Sequence, residues 1–392
     1  MPIPDGLRNM RFRSGSVDLR AYLAHDGETC EASHQACKTG QKQKAPHLVD
    51  LSEGNQYSQQ RQRGSKNSTD PSADRVGSKL VTVLYGVHAG TEDVDSATLI
   101  AFWTRVEELG FGWISCWDHF VGIVQGDGPF EAVATHAALA SHTKVVRVGV
   151  LVYAMGYRHP AVLASAVATV DHLSDGRADL GIGAGWEAGD YGAFGIEFPG
   201  TSERLDKLEE GVQVLNLLLH NGGGSMAGEH YTLTEAELPV PPVQERLPIW
   251  IGGVGEKRVI PMAGRLADGW DAPLGLSSEE FAHKVKVLTR SAEQADRDPS
   301  AIRRSAHIAI YENAHQAADL LGEDLAEIEN GVLIGSDDYI LEEIKRYEEA
   351  GATQILFSTN ASHGTDNLER AARLLRLNSA AHGLGSEEIP LT

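Results

Sequence analysis

From Leu80 onward, short apolar runs that are typical of β-strands alternate with longer segments that carry apolar residues at helical spacing. Eight such units follow one another in about 310 residues. Apolar strands that alternate with amphipathic helices predict a parallel sheet covered by helices. Eight units fit a closed (β/α)8 TIM barrel, an α/β fold, better than an open doubly wound sheet. The predicted strands are residues 80–87, 113–120, 145–152, 178–183, 248–253, 269–273, 305–312 and 353–359.

The segment before Leu80 lacks this alternation. Residues 56–69 contain one aromatic and no aliphatic side chain, so burial cannot offset the entropy cost of ordering them. We therefore expect residues 1–79 to be a mostly disordered extension and residues 80–392 to form the barrel domain. Cys30, His34 and Cys37 match no zinc-binding pattern and no second ligand pair follows them, so no metal site is predicted.

The formal net charge of −21 is distributed unevenly along the chain. Residues 1–79 carry a net charge of +3, which leaves −24 on residues 80–392. A domain with this net negative charge repels phosphate backbones and anionic lipids. Nucleic acids and membrane surfaces are therefore disfavoured as partners. A small-molecule ligand is the expected partner, and a homodimer is a candidate assembly. Three cysteines cannot form a disulfide framework, and the sequence shows neither a signal peptide nor an apolar run that could span a membrane. We expect a soluble, cytoplasmic protein.

The first of two glycine clusters follows the fourth predicted strand. Gly181, Gly183 and Gly185 do not lead at once into a helix, as a Rossmann fingerprint requires. Strand-end glycines still let main-chain amides approach a ligand, because no Cβ intervenes. This cluster predicts either a loop that contacts flavin or phosphate, or a tight barrel turn.

The second cluster, Gly252, Gly253 and Gly255, lies between a predicted strand and a helix predicted to begin near Glu256. Main-chain amides at a helix N-terminus bind anions, and the helix dipole favours negative charge there. TIM barrels commonly bind phosphate on their late βα loops. The cluster therefore predicts a phosphate site, with Lys257 and Arg258 in the first helical turn.

Catalytic residues of a TIM barrel lie at the carboxyl ends of its strands. Asp118 and His119 lie at the carboxyl end of the second predicted strand, and a histidine tuned by a neighbouring carboxylate can exchange a proton near neutral pH. The absence of HExxH, Walker and G-x-S-x-G motifs disfavours metal hydrolysis and serine acyl transfer. The residues expected on this rim are His88, Asp118, His119, Tyr153, Gly183 to Trp186, Gly252 to Gly255 and Asp271.

Five motifs occur in order along the barrel region: DHF (118–120), YRHPAVLA (157–164), the glycine-rich run 173–199, PIWIGGVGEKR (248–258) and RLADGWDAP (265–273). In this order and spacing they resemble the luciferase-like flavin and deazaflavin oxidoreductases. The closest resemblance is to the branch that uses coenzyme F420, an 8-hydroxy-5-deazaflavin. The resemblance covers about residues 80–378, and residues 1–79 have no counterpart in it.

The resemblance implies a bulged third strand with a non-proline cis peptide bond behind the cofactor ring, which here corresponds to Leu151–Val152. It also implies His119 as a catalytic residue, with Asp118 before it. The phosphate-binding main chain corresponds to Ala184 and Gly185 in one loop and to residues 252–255 in the other. The cofactor-binding residues expected on this basis are Leu151, Val152, Gly183, Ala184, Gly185, Trp186, Gly252, Gly253, Val254 and Gly255.

One position departs from the family pattern. In the sugar-phosphate dehydrogenases of this family, a glutamate directly follows the glycine that corresponds to Gly185. In this chain that position is Trp186, and Glu187 lies one residue later. A shift of one residue redirects a side chain, so a sugar phosphate is disfavoured as substrate. Trp186 instead predicts an apolar wall for a larger or more hydrophobic substrate.

The resemblance therefore implies an F420-dependent oxidoreductase that transfers a hydride between the cofactor and an organic substrate. One alternative is a monooxygenase that uses FMN, since reduced flavin reacts with oxygen and reduced deazaflavin does not do so readily. A second alternative is a protein that binds flavin or deazaflavin without turnover. The Asp118–His119 pair argues against it, because binding alone requires only the glycine loops.

Overall fold

The computed structural model describes residues 83–121, 128–321 and 330–377. Its strands are β1 (Leu84–Gly90), β2 (Trp113–Cys116), β3 (Arg147–Ala154), β4 (Ala178–Gly183), β5 (Gly224–Ala227), β6 (Thr232–Ala236), β7 (Ile249–Gly252), β8 (Gly269–Ala272), β9 (Arg303–Tyr311), β10 (Val332–Ile334) and β11 (Gln354–Asn360). The helices are α1 (Ser96–Glu108), α2 (Ala132–His142), α3 (Pro160–Ser174), α4 (Ala188–Ala193), α5 (Thr201–Leu219), α6 (Val259–Leu266), α7 (Ser278–Glu293), α8 (Ala314–Leu321), α9 (Asp337–Glu349) and α10 (Asp366–Leu374).

Eight of these strands form a closed parallel barrel, as the sequence predicted. Their order around the barrel is β9, β11, β1, β2, β3, β4, β7 and β8, and β8 pairs with β9 to close it. The hairpin of β5 and β6 is inserted between α5 and β7, and β10 pairs with β9 outside the barrel. The fold is therefore a (β/α)8 TIM barrel with helices around it.

Several predicted boundaries are wrong by a few residues. β1 pairs with β11 from Leu84 to Gly90, so the strand extends past residue 87 and includes His88. β2 ends at Cys116, which leaves residues 117–120 in the loop that follows. Helix α6 begins at Val259 and not near Glu256, and Gly253 adopts a φ of +127° in the loop before it. The hairpin and α4 lie in segments for which the sequence analysis predicted no strand or helix.

Two apolar layers hold the barrel together. The larger lies between the sheet and the helices, where sequence periodicity places residues such as Leu208, Val212 and Leu215 of α5. The smaller lies inside the barrel and consists of Trp113, Leu151, Trp250 and Leu356, with the two indoles in edge contact at 5.5 Å. Large side chains thus fill the barrel interior, and Leu151 belongs both to this filling and to the cavity described below.

The strand β3 is irregular at the level of this interior layer. Its register against β4 shifts between Val150 and Tyr153, and the Leu151–Val152 peptide bond is cis, as the family resemblance implied. The shift places Tyr153 among buried side chains, where its hydroxyl lies 3.0 Å from Nδ1 of His136 on α2. The expectation that Tyr153 lies on the rim is therefore wrong, because the irregular strand turns it away from the cavity.

Residues 1–79, including Cys30, His34 and Cys37, lie outside the described residues, so the predicted domain division remains a prediction. In the described part of the chain, no helix is long and apolar enough to cross a membrane.

Candidate functional site

A cavity of about 490 Å³ opens at the carboxyl ends of the barrel strands. Its volume lies within the range of small-molecule and cofactor sites, roughly 300–1,000 Å³. Most of the site residues expected from the sequence line it, namely His88, Asp118, His119, Leu151, Val152, Gly183, Ala184, Gly185, Trp186, Gly252, Gly253 and Asp271. Val254 and Gly255 do not line the cavity. They lie in the exposed loop beyond it, where the carbonyl of Val254 accepts a hydrogen bond from Lys284.

One wall of the cavity is built around the side chain of Val152. A Cβ added at Gly183 or at Gly252 would lie 2.6 Å from a methyl group of Val152. These two glycines of β4 and β7 therefore leave room for Val152, which in turn lines the cavity beside Leu151. The glycines that suggested main-chain contact with a ligand have a packing role at these positions.

His119 is held by a carboxylate that sequence reasoning did not single out. Its Nδ1 atom lies 2.6 Å from Oδ2 of Asp190 on α4, and the Asp190 side chain is fully buried. The same carboxylate accepts hydrogen bonds from the hydroxyl of Tyr157 at 2.9 Å and from the amide of Val121 at 2.7 Å. His119 is therefore a buried imidazole with one nitrogen fixed and its ring in the cavity wall.

Asp118 is paired with an arginine, and its expected catalytic role remains a prediction. Its two carboxylate oxygens accept from the two terminal nitrogens of Arg158 at 2.6 and 2.9 Å, and Oδ2 also accepts from the amide of Ala154 at 3.0 Å. Arg158 in turn pairs with Glu131. Asp118 therefore links the loop after β2 to the end of β3 and to the turn that follows β3, and the carboxylate that contacts His119 is that of Asp190.

The opposite side of the cavity carries a second polar cluster. His307 of β9 places Nε2 2.9 Å from Asp271 of β8 and Nδ1 3.1 Å from the hydroxyl of Ser358. His88 of β1 lies in edge contact with His307, with ring centroids 4.7 Å apart, and its Nδ1 lies 3.0 Å from the hydroxyl of Ser115. Burial, together with the adjacent His307, holds the pKa of His88 well below its usual range, so His88 is neutral.

A buried carboxylate also orders the rim between β1 and β2. Glu92 accepts from the indole of Trp117 at 2.8 Å and from the side-chain amide of Asn360 at 3.0 Å. Trp117 and Asn360 both line the cavity. Burial raises the pKa of Glu92 above its ordinary value. Glu92, which does not itself line the cavity, thus fixes the side chains of Trp117 and Asn360, which do.

Trp186 and Tyr157 line the cavity near His119, whereas Phe120 and Phe194 are not among its lining residues. Trp186 is 65% exposed and makes an edge contact with the His119 ring at 5.6 Å. Phe120 stacks on Phe194 at 4.4 Å and lies 4.5 Å from the ring of Tyr157. Glu187 also lines the cavity, and its carboxylate accepts a hydrogen bond from the amide of Gly189 at the start of α4. The one-residue displacement of the glutamate therefore gives it a capping role.

The two glycine loops have different backbone geometry. The first was predicted to be either a ligand-contacting loop or a tight turn, and the phosphate site predicted at the second remains a prediction. Gly185 has a φ of +76°, and a Cβ there would lie 2.1 Å from the Tyr191 hydroxyl, so a tight turn requires it. The amide of Gly253 donates to the carbonyl of Asp271 at 3.0 Å, so it is already occupied within the protein. A phosphate would therefore have to be bound by amides later in the loop. Arg258 precedes α6 and pairs with Asp206 at 2.7 Å, so its charge is balanced within the protein.

Four side chains that contribute to the site were not predicted from the sequence: Tyr157, Arg158, Asp190 and His307. Asp190 lies 71 residues from His119, and no local pattern joins the two positions. His307 occupied a predicted strand, and only its place on the barrel interior marks it as a cavity residue. In the part of the chain that the structure describes, no group of three or more His, Cys, Asp or Glu side chains could hold a metal ion.

Comparison with known proteins agrees with this architecture. A family model described as luciferase-like monooxygenase matches residues 79–321. An F420-dependent glucose-6-phosphate dehydrogenase from Amycolatopsis mediterranei is 31% identical over 240 residues, which cover 59% of this chain and 71% of that relative. A phthiodiolone/phenolphthiodiolone dimycocerosates ketoreductase from Mycobacterium bovis is 31% identical over 164 residues, which cover 41% of this chain and 42% of that relative.

Among solved structures, an F420-dependent secondary alcohol dehydrogenase in complex with an F420-acetone adduct has a TM-score of 0.67 at 22% identity. The match covers 75% of this chain and 99% of that one, which supports the fold. The family match spans more than half of the chain, and the glucose-6-phosphate dehydrogenase match covers more than two thirds of that enzyme. The chain therefore belongs to the luciferase-like monooxygenase family.

Proposed function

We propose that this protein is an oxidoreductase that transfers a hydride between coenzyme F420 and an apolar organic substrate, with His119 exchanging the substrate's proton. The observation that carries the proposal is the presence in one cavity of His119, fixed by Asp190, and of the Leu151–Val152 wall. The F420-dependent relatives support the choice of cofactor.

The residues of the cavity fit a planar deazaflavin. Leu151 and Val152 form an apolar wall, and Gly183 and Gly252 leave the space that Val152 needs beside it. These residues would support one face of the ring, and amides of the loop after Gly253 would bind the phosphate. Bound F420 would supply carbon C5, which donates or accepts a hydride.

His119 would carry out the proton transfer that accompanies the reaction. When a carbonyl carbon gains a hydride, its oxygen gains a negative charge and needs a proton; in the reverse direction a hydroxyl loses one. The imidazole of His119 lies in the cavity wall, and histidine exchanges protons near neutral pH. The relative that is a ketoreductase supports a keto group, or the corresponding alcohol, as the reacting group.

Trp186 supports an apolar substrate. Its ring lines the cavity beside His119, where a sugar phosphate would require charged or hydrogen-bonding partners. The glutamate of the sugar-phosphate dehydrogenases is replaced by Trp186, and Glu187 caps α4. A cytoplasmic location and a homodimeric assembly remain proposals from the sequence.

A substrate panel tests this function. Reduced F420 is mixed anaerobically with the protein and with aliphatic and aromatic ketones, and oxidation is followed by the return of the F420 absorbance; glucose-6-phosphate is assayed in the oxidative direction. We expect turnover with apolar ketones or alcohols and little with glucose-6-phosphate. Turnover that occurs with FMN and oxygen but not with F420 would indicate the monooxygenase alternative. F420 binding without turnover on any compound would favour the binding protein.

A further inference from the structure

Asp190 is placed to control which nitrogen of His119 faces the cavity. It lies on α4, in the segment after β4, whereas His119 follows β2, so the contact joins two loops of the rim. The Asp190 side chain is fully buried and that of His119 is 10% exposed. A hydrogen bond of 2.6 Å between two buried side chains in this position constrains the imidazole.

The chemistry of the contact determines the direction of the hydrogen bond. An ionised carboxylate only accepts, so Nδ1 of His119 must carry the hydrogen. In the neutral imidazole the other nitrogen, Nε2, is then an acceptor with a free lone pair. Nε2 has no hydrogen-bond partner among the residues that the structure describes, and the His119 ring lines the cavity.

Two further donors hold the carboxylate itself in place. Oδ2 of Asp190 accepts from Tyr157 as well as from His119, and Oδ1 accepts from the amide of Val121. A buried carboxylate that accepts several hydrogen bonds is satisfied without a cationic partner. Asp190 is therefore a fixed acceptor, and the orientation of His119 depends on it.

We propose that Asp190 is the positioning residue of His119: it fixes the Nδ1–H tautomer, so that Nε2 is the atom that exchanges the substrate's proton. Asp190 itself does not contact the substrate. Tyr157 holds Asp190 in place and takes no part in the proton transfer. This proposal rests on the proposed function for its catalytic meaning, whereas its structural content can be measured on the protein alone.

Nitrogen NMR of histidine provides that measurement. The protein is labelled with ¹⁵N in its histidine side chains and examined at about pH 8, above the ordinary pKa of histidine near 6.5. The His119 signals are assigned by their loss in His119→Gln. We expect a protonated Nδ1 and an unprotonated Nε2 in the wild-type protein. A wild-type spectrum with the hydrogen on Nε2 would overturn the proposal even if no variant folded.

The substitution Asp190→Asn tests whether Asp190 is what fixes the tautomer of His119. The asparagine amide can donate to Nδ1, which moves the ring hydrogen to Nε2 and removes the lone pair from the cavity. We expect the tautomer to switch, and turnover to fall by a large part of the roughly 100- to 10,000-fold that general acid–base catalysis contributes, while F420 affinity changes much less. An unchanged tautomer in Asp190→Asn would overturn the proposal.

Tyr157→Phe is the matched control, because it removes a hydrogen bond to the same carboxylate oxygen and leaves the His119 contact intact. We expect it to keep the wild-type tautomer; a switch in this variant would show that Asp190 alone does not fix the ring. The two proposals can also fail separately. If His119→Ala leaves turnover unchanged, the proposed catalytic role of His119 fails, and the tautomer measurement still decides the role of Asp190.

Discussion

At the scale of single residues, the cavity contains several histidines whose different partners give them different tasks. His119 is bound by a carboxylate on one side only, whereas His307 has partners on both ring nitrogens. His88 is buried and neutral. A histidine that exchanges protons needs one nitrogen free to meet the substrate, and His119 meets that requirement.

Replacing His119 by alanine tests its role directly. We expect His119→Ala to lower turnover by roughly 100- to 10,000-fold, which is the usual contribution of a general acid or base. Its effect on F420 affinity should be much smaller, because cofactor binding is assigned to the Leu151–Val152 wall and the loop after Gly252. Steady-state kinetics with reduced F420 and a substrate from the panel, together with a binding titration, measure both quantities. Near wild-type turnover, or complete loss of cofactor binding, would show that the assigned role is wrong.

The residue scale also shows where sequence reasoning stops. Adjacency in the chain suggested that Asp118 tunes His119, but successive residues project in different directions, and Asp118 pairs with Arg158. The residue that contacts His119, Asp190, is brought close because β2 and β4 both lie next to β3 in the sheet. A motif can thus identify a reactive side chain, while the partner that orients it depends on tertiary contacts.

At the scale of elements, the loops after β4 and β7 were predicted from glycine patterns that serve more than one purpose. Gly183 and Gly252 make room for Val152, and Gly185 occupies a left-handed turn. The helix after β7 begins at Val259, three residues later than expected, because residues 253–258 form a loop. The glycine pattern of the sequence predicts where these loops lie. It does not predict the backbone conformation within them, because that conformation depends on packing.

The substitution Gly253→Val tests whether the loop after β7 binds the phosphate of F420. Gly253 has a φ of +127°, which valine rarely adopts, and an added Cβ would lie 3.2 Å from Val259, so the substitution strains this loop. We expect weaker binding of F420 and a much smaller change for a deazaflavin without the phosphate group. Fluorescence titrations with both compounds measure the difference. An equal loss for both compounds would show that the loop does not act on the phosphate, and unchanged F420 affinity would place the phosphate elsewhere.

The contact between α2 and β3 predicts a pH dependence of stability. Burial lowers the pKa of His136 to about 4, against roughly 6.5 in an unfolded chain. Between these values the unfolded chain binds a proton that the folded protein does not. His136 therefore lowers the free energy of unfolding as pH falls from about 6.5 to 4, by about 1 kcal/mol per pH unit.

Urea unfolding at about pH 7, 6 and 5 measures this dependence. In His136→Gln the fall in stability with decreasing pH should be shallower than in the wild-type protein. His283→Gln, at an exposed position, should keep the wild-type slope. Parallel curves for His136→Gln and the wild-type protein would contradict the assignment.

At the scale of the whole molecule, the alternation of strand and helix patterns is sufficient to predict a barrel. Each βα unit carries its own periodicity, and closure needs only that neighbouring units pair in order, which β1 to β4 do. The hairpin of β5 and β6 and the extra strand β10 interrupt this order and were not predicted, because short strands outside the core carry little apolar pattern. The sequence therefore predicts the barrel better than the short elements added to it.

The barrel should fold without residues 1–77. Its first strand, β1, pairs with β2 and β11, and both partners lie far beyond this segment. We expect a chain that begins at Ser78 to be obtained in soluble form, with the thermal midpoint and F420 affinity of the full-length protein. Aggregation of the shortened chain, or a marked loss of affinity, would show that the segment contributes to the barrel.

The central claim is that the cavity over Leu151 and Val152 binds a deazaflavin for hydride transfer. Parallel titrations of the full-length protein with F420 and with FMN, followed by cofactor fluorescence, test this claim most directly. We expect saturable binding of one F420 per chain, with clearly weaker binding of FMN. Saturable binding of FMN with no measurable binding of F420 would contradict it.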